Sequence, residues 1–226
     1  MKPALVIFGC SNILSDIFDC ALANHLEVAQ IVSHLPESIG KRDRSVLERA
    51  EELSPFQSIP KIIGIKDFLP KPNDLYILGP TTPTRELLAI ELQQKFEIQF
   101  TTLIHPTSYV SPLAVINPGV FIGAKSVIGP GAQLAQHVFI NRGVTVGHDT
   151  QIGAFSRIQP GSNLGGLSCI GKRVTVGIGA TVLERLTIGD DAVVGAGAVV
   201  TNDVDANVPV VGIPAKFKKS YAADAH

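Results

Sequence analysis

Val182-Leu183-Glu184-Arg185-Leu186-Thr187-Ile188-Gly189-Asp190-Asp191-Ala192-Val193-Val194-Gly195-Ala196-Gly197-Ala198-Val199-Val200 sets an aliphatic side chain at every sixth position. Followed upstream, the same register runs unbroken from Ile104 through Val110, Ile116, Ile122, Ile128, Leu134, Ile140, Val146, Ile152, Ile158, Leu164, Ile170 and Val176. A second row, four residues after the first, is small or apolar throughout, from Ser108 and Ala114 to Ala198 and Val204. This periodicity is that of a hexapeptide β-helix repeat. One hexad, a short strand plus a corner, cannot bury its apolar face alone, but stacked coils can. Even spacing argues against a β-sandwich, whose turns fall at uneven intervals. Glycine often follows the first row, as in Ile122-Gly123, Val146-Gly147, Ile188-Gly189 and Val194-Gly195. The expectation is that it supplies backbone angles other residues resist. No insertion interrupts the hexads, so a smooth solenoid is expected.

Upstream of the repeat the pattern changes. Ala4-Leu5-Val6-Ile7-Phe8 is a continuous apolar run of the buried parallel-strand type. Gly9-Cys10-Ser11-Asn12 forms a turn, Ile13 to Asn24 has helical spacing, and Ser11 or Asn12 could cap that helix. A strand over Val28–Val32 follows, then a helix at Arg44–Leu53, a buried strand at Leu75–Gly79 and a helix from Pro83 to Phe96. Strand, turn, helix and strand open a nucleotide-binding βαβ unit. The helix start after Gly9 is a natural anion site. A dinucleotide fingerprint would, however, place further glycines where Ser11 and Leu14 stand. Ligand binding and plain capping of the solenoid both remain readings of this segment. The fold class expected is an α/β, Rossmann-like N-terminal domain over residues 1–102, followed by a parallel β-helix with a C-terminal cap over 103–226.

The 226 residues carry a net charge of −1, which argues against nucleic acid or a membrane surface as the main partner. Cys10, Cys20 and Cys169 are far apart and in no metal-like spacing, as expected of a reduced, cytoplasmic protein. The opening strand is too short for a signal peptide, and no apolar run approaches the ~20 residues of a spanning helix.

Among the histidines (His25, His34, His105, His137, His148, His226), His148 stands at a corner position of its hexad with Asp149 directly after it. An outward imidazole can act as a general base, and an adjacent carboxylate fixes its tautomer. If three hexads make one coil, residues eighteen apart stack at about the strand spacing of 4.8 Å. Gly166 then lies beside His148, with a bare N–H suited to an oxyanion. Ile178 and Ala196 stack on a different corner, which suggests a site completed between subunits. A zinc site would need three imidazoles, often including a close pair, and none occurs, so no metal is expected. Pro214 ends the coiling, and Lys216 could meet a phosphate or merely belong to a terminal cap.

Leu103-Ile104-His105-Pro106, Ile140-Asn141, His148-Asp149, Ile152-Gly153, Gly195-Ala196-Gly197-Ala198-Val199-Val200 and Gly212-Ile213-Pro214-Ala215-Lys216 resemble the sugar O-acyltransferase family. That family contains the sialic acid O-acetyltransferases and the bacterial nucleotide-amino-sugar N-acetyltransferases. The resemblance covers nearly the whole chain. It implies a left-handed parallel β-helix, a homotrimer, and acetyl-CoA lying between adjacent helices. It implies that His148 is the general base with Asp149 its partner, and that Gly166 offers its amide to the acetyl carbonyl. The acetyl-CoA channel falls on Gly177, Ile178, Gly195, Ala196, Pro214 and Lys216. Asn141 falls near the acceptor, and Gly9, Ser11, Gly79 and Arg85 fall where the family holds the nucleotide of its sugar substrate. Two departures stand out. Arg157 replaces a usual second histidine, and a permanently charged side chain there would meet a CoA phosphate or an acidic acceptor instead. Cys10-Ser11-Asn12 replaces a Gly-Gly loop. The function expected is acetyl transfer to a sugar amine or hydroxyl. A non-catalytic trimeric scaffold, or transfer to another small acceptor, are the alternatives.

Overall fold

The computed structural model describes residues 3–218, so the end of the expected second domain, His226 included, lies outside the described residues. The chain divides after Pro106 into two compact units.

The first unit is an α/β sheet. Strands β1 (Ala4–Phe8), β2 (Glu27–Ser33), β3 (Lys61–Gly64) and β4 (Leu75–Leu78) are parallel, in the order β3-β2-β1-β4. Helices α1 (Leu14–Ala23), α2 (Val46–Glu51) and α3 (Arg85–Phe96) connect or follow them. Leu5, Val6, Ile7 and Phe8 are buried, which explains the continuous apolar run. Neither Ser11 nor Asn12 caps α1: the cap residue is Ile13, with no side-chain bond. The Ser11 hydroxyl is instead directed across the sheet, donating to Gly79 O at 2.8 Å. Helix α2 is shorter than the periodicity suggests, because Ser45 and Glu48 close a capping box at its start. The β3 strand is not evident from the sequence pattern, since Lys61-Ile62-Ile63-Gly64 is a short edge strand with no fully buried residue.

The second unit is a three-sided parallel solenoid. Its first sheet includes strands at 121–122, 139–140, 157–158, 175–176 and 193–194; its second runs from 109–110 to 199–200; its third runs from 115–116 to 187–188. From Tyr109 to Val200 the rungs pair residues eighteen apart, as in Thr145 with Asn163 and Val146 with Leu164, and only the closing pairs, such as Val193 with Pro209, shorten the step. Parallel sheets and unbroken hexads fit a left-handed β-helix. From Ile122 to Val200 every first-row side chain is buried. Hydroxyls in the second row are satisfied along the coil axis. Ser126 Oγ donates to Asn141 O (2.8 Å), Ser156 Oγ to Gly171 O (2.7 Å) and Ser162 Oγ to Gly177 O (2.7 Å). A buried polar group partnered in this way carries little penalty.

The corners differ from the sequence expectation. Positive φ falls three residues after each first-row side chain from Ile116 to Val194, not on the glycine directly after it. Every sixth residue from Gly119 to Gly197 has φ between 55° and 77°, including Lys125, His137, Asp149, Phe155, Leu167, Arg173, Arg185 and Asp191. Glycines after the first row serve close approach instead. A Cβ on Gly147 would lie 2.5 Å from Gly166 N, and one on Gly189 would lie 2.4 Å from Ala206 N. Residues at one left-handed corner stack along the axis. His137 lies on Phe155 with centroids 4.8 Å apart, and Arg173 grips Asp191 through Nε–Oδ1 (2.7 Å) and a second bond of 2.8 Å. After the last hexads, Pro209–Val211 adds a parallel strand beside Val193–Val194, and Lys216–Phe217 returns antiparallel to it. This hairpin is the terminal cap.

Two tests follow from this packing. Ser126→Ala strands the Asn141 carbonyl and the Val144 amide (3.3 Å to Ser126 Oγ), and should cost about 1–3 kcal/mol. A urea midpoint equal to that of the parent would contradict this bookkeeping. Hydrogen bonding from Arg173 holds the Asp191 carboxyl below its ordinary value. The contribution of Asp191 is therefore present above the unfolded carboxyl value and lost as pH falls through the lower folded one. Asp191→Asn should flatten stability against pH on that acid limb alone.

Candidate active site

His148 and Asp149 occupy the corner that joins the second sheet to the third. The corner is fixed by backbone: Asp149 N donates to Pro130 O (2.9 Å) on the coil before, and His148 O accepts Leu167 N (2.8 Å) from the coil after. Asp149 adopts φ 55°, and this left-handed turn sets its carboxylate beside its neighbour's ring. His148 Nδ1 and Asp149 Oδ2 are 2.9 Å apart, and both side chains are 57% exposed. With Nδ1–H donated to the carboxylate, Nε2 is left as the basic nitrogen.

That nitrogen faces Gly166. A Cβ built on Gly166 would lie 2.6 Å from His148 Nε2, so the ring covers the space a side chain would fill. The flanking amides of Gly165 and Leu167 donate to Val182 O and His148 O, whereas none of the described hydrogen bonds uses the Gly166 N–H. Gly147, one rung earlier, has no side chain to block that nitrogen. An exposed base oriented by a carboxylate, with a bare amide alongside, can take a proton and steady a developing oxyanion.

The other residues nominated from sequence gather elsewhere. Asn141, Gly177, Ile178, Gly195 and Ala196 line the corner between the first and second sheets. Gly177 and Ala196 are in contact range there, since a Cβ on Gly177 would be 2.6 Å from Ala196 N. Ile178 is 61% exposed. Asn141 is buried, its Oδ1 accepting Arg142 N (2.8 Å) and its Nδ2 donating to Gln159 Oε1 (3.3 Å). Pro214 and Lys216 belong to the terminal hairpin, and Val211 of that hairpin approaches Gly195. Arg157 lies on the outer face of the first sheet, opposite the His148 corner. Its Nε donates to Thr175 Oγ1 (3.0 Å), and burial pulls its guanidinium below the ordinary value.

In the first unit, Gly9 and Gly79 meet at the C-terminal ends of β1 and β4. A Cβ on Gly79 would sit 2.2 Å from Gly9 O. Arg85 is buried, with Nη1 donating to Thr81 O (2.6 Å) and Thr82 O (3.1 Å). Sequence reading missed a polar network beside this crevice. Arg49 donates to Ser15 Oγ and Asn12 Oδ1 (2.9 Å each), and Asn12 donates to Asp43 Oδ1 (2.8 Å). The network joins residues 31 and 37 positions apart, and no local pattern announces it. Also unforeseen is a groove of about 400 Å³ on the third sheet, lined in part by Gln133, Gln151, Cys169 and Thr187. Among the described residues no three His, Cys, Asp or Glu side chains gather as metal ligands, and no helix is long and apolar enough to cross a membrane.

Residues 170–202 match the family described as bacterial transferase hexapeptide (six repeats). Perosamine N-acetyltransferase from Caulobacter crescentus, solved with CoA and GDP-perosamine, is 26% identical with a TM-score of 0.80, over 97% of this chain and 99% of that one. The acetyltransferase domain of PglB from Neisseria gonorrhoeae, solved with acetyl coenzyme A, is 27% identical with a TM-score of 0.79, over 96% and 100%. A serine acetyltransferase from Buchnera aphidicola is 30% identical over 135 residues, 59% of this chain. The chain spans only 44% of the length of that enzyme. These findings match the resemblance drawn from the sequence motifs.

Gly166→Ala is expected to keep the far-ultraviolet circular dichroism of the parent while shifting the His148 ring proton resonances. Unshifted resonances would contradict a ring seated over this glycine.

Proposed function

We propose that the protein is an acetyl-CoA-dependent acetyltransferase acting on a sugar amine or hydroxyl, with a nucleotide-linked amino sugar as acceptor. The observation that carries this reading is the His148–Asp149 contact with the imidazole seated in the side-chain space of Gly166. The acceptor nitrogen or oxygen attacks the thioester carbonyl while His148 Nε2 takes its proton. Gly166 N–H steadies the carbonyl oxygen as it becomes anionic. The carbon–sulfur bond then breaks, and the imidazolium returns its proton to the departing CoA sulfur. Asp149 holds the ring in the tautomer this cycle needs and stabilises the imidazolium.

Acetyl-CoA is assigned to the corner that carries Gly177, Ile178, Gly195 and Ala196, with Pro214 and Lys216 beside it. Within one chain that corner and the His148 corner lie along opposite margins of the second sheet. A second copy is therefore needed to bring donor and base together, and the assembly we propose is a homotrimer. Arg157 would take an anionic group of donor or acceptor.

The first unit is read as a Rossmann-like nucleotide-binding domain. Its strand order reverses between β1 and β4, and ligands bind such sheets at the strand ends where the order switches. Gly9, Ser11 and Gly79 stand at that point, and Arg85 shapes the loop after β4. The perosamine enzyme, solved with a nucleotide-linked amino sugar, supports this choice of acceptor. Free cysteines at Cys10, Cys20 and Cys169 fit a cytoplasmic location.

A thiol-release assay with acetyl-CoA and a panel of nucleotide-linked amino sugars tests the reading. His148→Ala should lower turnover by about 10²–10⁴ while leaving the fold intact. Undiminished turnover in that variant would remove His148 from the role of base.

A further inference from the structure

We infer that Gly131, on the coil preceding His148, is a positioning residue that keeps the Asp149 carboxylate on the imidazole. The inference rests on the reading of His148 as base and adds a residue to it.

Gly131 and Asp149 occupy the same left-handed corner one coil apart, so Asp149 leans over Gly131. A Cβ on Gly131 would lie 2.2 Å from Asp149 Oδ1 and 3.1 Å from its carboxyl carbon. The other oxygen, Oδ2, is the one 2.9 Å from His148 Nδ1. The pair is thus held between two glycines: Gly131 of the coil before, against the carboxylate, and Gly166 of the coil after, against the ring. Any side chain at 131 must evict something, and the least costly movement is a swing of the exposed carboxylate. Backbone atoms are tied at this point, with Gly131 N donating to Leu113 O (3.2 Å) and Asp149 N to Pro130 O. The fold therefore survives the substitution, while the contact with His148 does not.

Backbone conformation does not explain this glycine. Gly131 has φ 71°, yet Asp149, Leu167 and Arg185 take the equivalent conformation on the following coils with full side chains. Gly143 provides the control. It has φ 66°, and an added Cβ there would meet nothing within 4 Å. Alanine at 131 and at 143 carries the same backbone strain, but only the first collides with a carboxylate.

The experiment compares Gly131→Ala, Gly143→Ala and the parent by long-range proton–nitrogen correlation of the His148 ring and by steady-state kinetics. Gly131→Asn, whose side chain tolerates the left-handed region, is a second variant with the same obstruction. In the parent and in Gly143→Ala, Nδ1 should carry the proton of the neutral ring. In the Gly131 variants that preference should be lost. Their kcat should fall roughly tenfold to hundredfold, with KM for acetyl-CoA changed by no more than about twofold, since orientation of the base rather than binding is damaged. Parent-like tautomer or kcat in the Gly131 variants, or equal losses in Gly143→Ala, would overturn the inference. If the parent itself transfers no acetyl group, the functional reading fails, while the tautomer comparison still decides the role of Gly131.

Discussion

A left-handed backbone turn at every sixth residue governs the solenoid. The turn closes each hexad, so three hexads close a coil, and residues eighteen apart come into register. L-residues resist this conformation by roughly 1–2 kcal/mol each. The molecule nevertheless holds side chains there from Lys125 to Asp191. Stacking between coils compensates: an aromatic pair at His137 and Phe155, and an ion pair at Arg173 and Asp191. The burial of the first-row aliphatics supplies the rest of the driving force.

The same turn makes the proposed chemistry possible. A strand would point adjacent side chains to opposite faces, whereas the left-handed corner sets Asp149 alongside His148. The close packing of coils demands glycine at Gly147, while the imidazole itself fills the space beside Gly166, and together they leave a bare amide next to the ring. Structural and chemical requirements therefore coincide at this corner. The corner carrying Ile178 and Ala196 obeys the same rules but has no titratable pair, which suits it to holding a ligand rather than moving protons.

The repeat was the most legible feature because its signal is summed over many coils. The ruler of eighteen residues, read from sequence alone, placed Gly166 beside His148, and the pairing of Val146 with Leu164 confirms the step. What the pattern concealed was local geometry. Glycine after the first row suggested unusual angles, but those glycines answer to a neighbouring coil, and the unusual angles lie two residues later on side chains as large as Phe155 and Arg185. The first unit was less legible. A short edge strand such as Lys61–Gly64 has no burial pattern, and the link from Arg49 to Asn12 is a tertiary contact with no periodic trace. Ser11 illustrates the same limit, since a residue with the chemistry of a helix cap spends its hydroxyl on Gly79 O.

The arrangement at the His148 corner makes a specific demand on where an acyl donor is held. A crystal structure with a non-transferable acetyl-CoA analogue measures it directly. The account requires the analogue's carbonyl oxygen within about 3 Å of Gly166 N, next to the His148 ring. A carbonyl held at another corner, or separated from Gly166 by a full coil, would contradict the account.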